Sequence, residues 1–135
     1  MALIQWFERY KIGVESIDNK HKRLFEIADE LYMEILRMRD EDILGEIFVF
    51  FIEHTYSTFT EEENYMIKTQ YPDYHIHKME HDIFFDKLMF IFGVFDKDKK
   101  VLSVTFMESV KDWLRAHILR DDMKYADYIT RNRLL

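Results

Sequence analysis

Only 3 glycines and 1 proline punctuate this chain of 135 residues. With so few residues that break helices or make tight turns, and no Asn-Gly hairpin dipeptide, long helices are favoured over a sheet. Four apolar periodicities fill the sequence. The first follows an N-terminal extended arm and takes Asp18 as its N-cap, with Ile17, His21, Leu24, Phe25, Ala28, Leu31, Tyr32, Ile35 and Leu36 at steps of three and four. It ends near Arg39-Asp40. A second carries Ile43, Ile47, Phe50, Phe51, His54, Thr58, Glu62, Tyr65 and Met66, and must stop by Tyr71-Pro72 because proline disfavours helix in the residue before it. The third, from about Tyr74 to Phe95, aligns His77, His81, Phe84, Phe85, Leu88, Ile91, Phe92 and Phe95. After a polar turn at Asp96-Lys97-Asp98-Lys99-Lys100, the fourth starts at Ser103, aligns Phe106, Val110, Trp113, Leu114 and His117, and runs to about Ile129. Short connections make successive helices antiparallel, so the expected fold is all-α, an up-down-up-down four-helix bundle.

Composition narrows the function. A net charge of −7 argues against a nucleic-acid surface, which needs clustered Lys and Arg. The absence of cysteine excludes disulfides, thiolate metal sites and thiol catalysis. The 12 Phe, 8 Tyr and 2 Trp provide the bulk of a packed core, and 135 residues suit a single domain over 1–135. The opening Met1-Ala2-Leu3-Ile4-Gln5-Trp6-Phe7-Glu8-Arg9 meets charge too soon for a signal peptide. No stretch approaches the ~18 apolar residues of a membrane span. The expected location is cytoplasmic, without membrane insertion.

Polar residues interrupt the apolar stripes, and burying them unpaired is costly. His77 and His81 stand one turn apart on one face, where both imidazoles reach a common point. Alone, H-x-x-x-H is a weak signal. It gains weight because His21 and His117 lie on the inner stripes of two other helices and Glu62 on the remaining one. A His/carboxylate cage without thiolate favours iron, then manganese, and bundle cores host dimetal carboxylate sites. By regular helical spacing Asp121 shares the face of His117. Asp122 lies ~140° around and turns inward only if the helix widens or ends there, as π-bulges allow. His75 reads as solvent-facing, Glu61 and Glu63 as surface carboxylates, and Tyr56, Tyr65 and the methionines as packing.

These pieces occur in the order Gly13-Val14, Ile17-Asp18, His21-Lys22, Leu24-Phe25, Phe59, Glu62-Glu63, Met66, Tyr71-Pro72, His77-Lys78-Met79-Glu80-His81, Trp113-Leu114, His117-Ile118 and Asp122. The ordered set, spanning nearly the whole chain, resembles the hemerythrins and in particular the single-domain bacteriohemerythrins. The resemblance implies a pair of non-heme iron ions with a bridging oxygen, binding dioxygen reversibly. His77, His81 and His117 match the three histidines of one iron, and His21 a ligand of the other. Glu62 and Asp122 match the bridging carboxylates, so the resemblance selects Asp122 where spacing alone selects Asp121. Trp113, Leu114 and Ile118 match the dioxygen pocket.

One ligand is missing. Where the family has His-Phe-x-x-Glu-Glu, the chain reads Thr58-Phe59-Thr60-Glu61-Glu62-Glu63. A hydroxyl is a poor substitute for imidazole, so the second iron is expected to bind more weakly. Three accounts stand open: a water held by Thr58 in place of the imidazole, a partly filled second position, or replacement by His54 one turn earlier. The leading function is dioxygen transport, storage or delivery rather than catalysis, with no protein partner identifiable. The alternatives are a di-iron oxidase, peroxidase or nitric-oxide-reactive enzyme, and an iron-binding or sensing module.

Overall fold

The computed structural model describes residues 2–134. Helices α1 (Glu15–Leu36), α2 (Glu41–Lys68), α3 (Tyr74–Phe95) and α4 (Val104–Ala116) are followed by a π-helical turn, His117–Asp122, and by α5 (Met123–Arg131). The last three segments continue one another, so the up-down-up-down bundle has four rods. α2 packs on α1 and α3, and α4 returns against α1. Among the described residues no helix is long and apolar enough to cross a membrane.

Local chemistry sets the boundaries. Asp40 caps α2 by accepting from the Asp42 N–H at 2.8 Å, and Ser103 caps α4 through the Phe106 N–H at 3.1 Å. Helix α1 begins three residues before the expected start. Asp18 is therefore not its N-cap but lies in its first turns, where the carboxylate accepts from the N–H groups of Ile12 at 2.8 Å and Gly13 at 3.1 Å. The side chain is buried and fastens the arm to the bundle. The arm covers the core with Leu3, Ile4, Tyr10, Ile12 and Val14, and turns once in a 3-10 turn at Glu8–Tyr10.

The inner face of α2 also differs from expectation. Its N-terminal half buries Leu44, Phe48, Phe51, Ile52 and Thr55, while Phe50 is 39% exposed and Ile43, Ile47 and His54 are half-buried. The segment Ile43–Ile52 is apolar nearly all round, so two stripes one residue apart match it equally and periodicity cannot choose. The two stripes converge at Thr58 and Glu62, which are buried as expected.

Two apolar clusters bracket the middle of the bundle. One contains Leu24, Phe25, Phe59, Phe84, Leu114 and Ile118; the other contains Ile17, Met66, Tyr71, Tyr125 and Ile129. On every rod the polar inner residue lies between them, His21 between Ile17 and Leu24, and Glu62 between Phe59 and Met66.

Candidate metal centre

Four rods deliver six side chains to this level: His21 from α1, Glu62 from α2, His77 and His81 from α3, and His117 and Asp122 from the two ends of the π-helical turn. All six are at most 4% exposed. The rings of His77, His81 and His117 form a near-equilateral triangle with centroids 4.6, 4.6 and 4.8 Å apart. Donor atoms of these three residues, Glu62 and Asp122 converge within 4.8 Å of one another, a grouping that could hold a metal ion.

The carboxylates face two ways. Asp122 Oδ1 lies 3.0 Å from His77 Nε2 and 3.3 Å from His117 Nε2, whereas its Oδ2 lies 3.4 Å from His21 Nε2. Glu62 Oε2 is 3.3 Å from His21 Nε2, and Glu62 Oε1 is 3.9 Å from His77 Nε2. Each carboxylate thus spans the space between the three-histidine group and His21, as a bridging ligand requires.

The donor chemistry suits cations. His77 Nε2, Glu62 Oε1 and both oxygens of Asp122 are buried without a hydrogen-bond partner, and the Nε2 atoms of His81 and His117 face each other at 3.0 Å. Orphaned lone pairs converging in a dry core cost about 1–3 kcal/mol each unless something positive satisfies them. Protons fill that role in part. Burial and the adjacent Asp122 carboxylate hold Glu62 well above the usual carboxylate range. Burial pulls His117 down, but Asp122 and Asp121 overcome it and raise the imidazole to about 10. Burial pushes Asp122 upward, and His117 with the neighbouring histidines reverses this and holds it well below its ordinary value. Burial lowers His21, and burial with the facing His117 lowers His81 strongly.

A surrounding layer orients the rings. His81 Nδ1 is 2.7 Å from Glu63 Oε2, and His117 Nδ1 is 3.2 Å from Asp121 Oδ2 and 3.5 Å from Glu80 Oε2. A carboxylate behind Nδ1 fixes the proton there and leaves Nε2 free to point inward. Glu63 is therefore no surface carboxylate, and its side chain is 15% exposed. One residue beyond Glu62, it turns ~100° towards α3 and meets the outer edge of His81. Neither Glu63 nor Glu80 is visible to a search for inner-stripe residues. Aromatic faces complete the support: Phe59 stacks on His81 at 3.9 Å, and Trp113 stacks on His117 at 4.5 Å and on Phe84 at 3.9 Å. Leu114 and Ile118 are buried, while Trp113 is half-buried.

On the His21 side the chain offers a single imidazole. Thr58 is buried, and its Oγ1 donates to its own helix at His54 O, 2.7 Å away. His54 is held elsewhere, its ring tilted against Phe50 at 4.3 Å between centroids and its Nδ1 3.2 Å from Phe50 O. His21 Nδ1 is buried and without a hydrogen-bond partner. His75 is exposed, as its spacing suggests.

Comparison with known proteins agrees with this geometry. Residues 12–129 match the hemerythrin HHE cation-binding domain. The bacteriohemerythrin of Clostridium acetobutylicum is 33% identical over 127 residues, covering 90% of this chain and 98% of its own. The myohemerythrin of Sipunculus nudus is 29% identical over 89% of this chain and 88% of its own. A wild-type hemerythrin crystal structure superposes with a TM-score of 0.80 at 26% identity, covering 93% of this chain and 97% of that one. The chain belongs to the hemerythrin family, which is known for binding non-heme iron and dioxygen.

Proposed function

We propose that the protein binds dioxygen reversibly at a pair of non-heme iron ions, for transport, storage or delivery. The observation that carries this reading is the two-way reach of Asp122, one oxygen towards His77 and His117 and the other towards His21. His77, His81 and His117 would hold one ion and His21 the other, with Glu62 and Asp122 shared. When bound, the iron pair supplies two electrons and an open coordination position for dioxygen.

The chain supplies the rest. Glu63 and Asp121 keep the Nδ1 protons of His81 and His117 in place, so both Nε2 lone pairs stay aimed inward. Phe59 and Trp113 hold the two rings by stacking, and Leu114 and Ile118 exclude water from the level of the site. A dry site disfavours charge leaving the centre and so favours reversible binding over oxidation of other molecules. Thr58 brings no nitrogen to the His21 side, so the second ion would have fewer protein ligands and would bind less tightly than the first.

The test is anaerobic reconstitution with ferrous iron, removal of loose metal and a count of iron per chain, followed by admission of air. Two irons per chain, a new visible absorption and its reversal under vacuum are expected. One iron per chain, or oxygen consumed without reversal, would overturn the proposal.

A further inference from the structure

Helix α3 carries large apolar residues on the side that faces away from the metal centre. Ile76 is 58% exposed, Met79 57%, Ile83 52% and Phe90 70%. At 100° per residue all four fall within about 60° of one another, a continuous stripe spaced i, i+3, i+7 and i+14. Beside it, Ile83, Phe90, Ile91 and Phe106 line an apolar dimple of about 430 Å³ between α3 and α4. Scattered exposed apolar side chains are ordinary, whereas an aligned row with a hollow beside it marks a surface that is covered in use.

We propose that this stripe is the two-fold interface of a homodimer. The stripe is complementary to itself when two copies of α3 cross antiparallel about a two-fold axis at Ile83, which sets Ile76 against the partner's Phe90. The charges then match on one edge. Glu80, 34% exposed with Oε2 3.5 Å from its own His117 Nδ1, and Lys87 stand on that edge, and the axis brings each against the other in the second copy, while Asp82 and Asp86 line the opposite edge. Lys78, the other lysine of this stretch, is already engaged by Glu63 and Asp82, whereas among the described residues Lys87 is in no ion pair of its own chain. Four side chains each offering roughly 100–150 Å² bring a symmetric pair to about 1,000 Å², above incidental contact and at the lower bound of specific interfaces. That area predicts a reversible dimer with a dissociation constant on the order of micromolar.

The experiment is sedimentation velocity on the iron-loaded full-length chain from about 1 to 200 μM, with Ile83→Glu and Phe90→Ser as variants. Both positions are exposed and lie outside the metal centre, so circular dichroism and iron content should match the parent. The expected result is a concentration-dependent dimer that each variant shifts to monomer, with the midpoint moved at least about tenfold. A parent that stays monomeric at 200 μM, or a dimer that survives Ile83→Glu, would overturn the proposal. So would a monomer that instead floats with phosphatidylcholine vesicles in an Ile83-dependent way, which would assign the face to lipid. Iron stoichiometry is read separately, so failure here leaves the dioxygen-binding proposal untouched.

Discussion

Asp122 follows His117 by five residues, yet its Oδ1 lies 3.3 Å from His117 Nε2. A regular α-helix separates such a pair by ~140°, but the π-helical turn spanning His117–Asp122 hydrogen-bonds i to i+5 and brings the fifth residue back towards the same face. Both neighbouring acids consequently meet the same imidazole from opposite sides. Asp121 faces Nδ1 at 3.2 Å, and Asp122 faces Nε2.

That division predicts different phenotypes for adjacent residues of the same type. Asp122→Asn removes the charge that reaches both His77 and His21 and should lower iron below two per chain. Asp121→Asn leaves the inner donors intact and should keep the stoichiometry while weakening affinity about 10–100-fold. Titration against a competing chelator separates the two effects, and equal behaviour of the two variants would contradict the assignment.

Thr58→His should tighten the second ion. The present Thr58 hydroxyl is committed to His54 O at 2.7 Å and brings no nitrogen to the His21 side. An imidazole there supplies the missing donor, so loss of the second iron to a chelator should slow by about tenfold or more, with the first unaffected. Rates for both irons that match the parent would show that the substituted side is not the weak one.

What the sequence reveals and what it conceals differ in physical kind. α3 is readable to its ends because Pro72 precedes it and a charged turn follows it, and Ser103 announces α4 because its side chain fits the cap. The stripe of α2 is not readable, because a helix apolar all round gives periodicity nothing to select. Asp122 is hidden for a related reason: spacing arguments assume 3.6 residues per turn, and the π-helical turn departs from that figure where the site is built. Glu63 escapes because it approaches His81 from outside, between α2 and α3, and inner-face patterns do not register that direction.

Acidity should control loading. In the metal-free fold burial raises Glu62 above the usual carboxylate range, and, against burial, Asp122 and Asp121 raise His117 to about 10 from 6.5, so near neutral pH His117 carries a proton that the unfolded chain largely lacks. Stability of the metal-free fold from His117 is fully present below about 6.5 and falls as pH rises towards 10. His21 and His81 act in the other direction, being kept neutral by burial and losing stability as pH falls below about 6.5. Iron must displace the proton on His117, so affinity should climb with pH by about tenfold per unit through that group. Melting temperatures with and without iron should therefore diverge between pH 7 and 9.5, and a weakly buffered anaerobic titration should release at least about one proton per chain. Uptake with no proton release would show that the metal-free site does not hold the His117 proton.

Backbone conformation away from the centre offers a final check through two opposite exchanges. Met38 sits just beyond α1 at φ 53° and is 90% exposed, with its N–H bonded to Ile35 O at 3.1 Å and the Arg39 N–H to Glu34 O at 3.1 Å. This hydrogen-bonded helix end favours glycine, and an L-residue there is disfavoured by roughly 1–2 kcal/mol, part of which a glycine returns through unfolded-state entropy. Met38→Gly should therefore stabilise by about 1 kcal/mol. Gly93 presents the reverse situation within α3, where an added Cβ meets nothing within 4 Å. Gly93→Ala should gain about 1 kcal/mol from helix propensity alone. The sites share no partner, so the double variant should add the two gains, a rise of roughly 4–10 °C in melting temperature. A fall with Met38→Gly would mean that the left-handed turn closing α1 is not populated in solution.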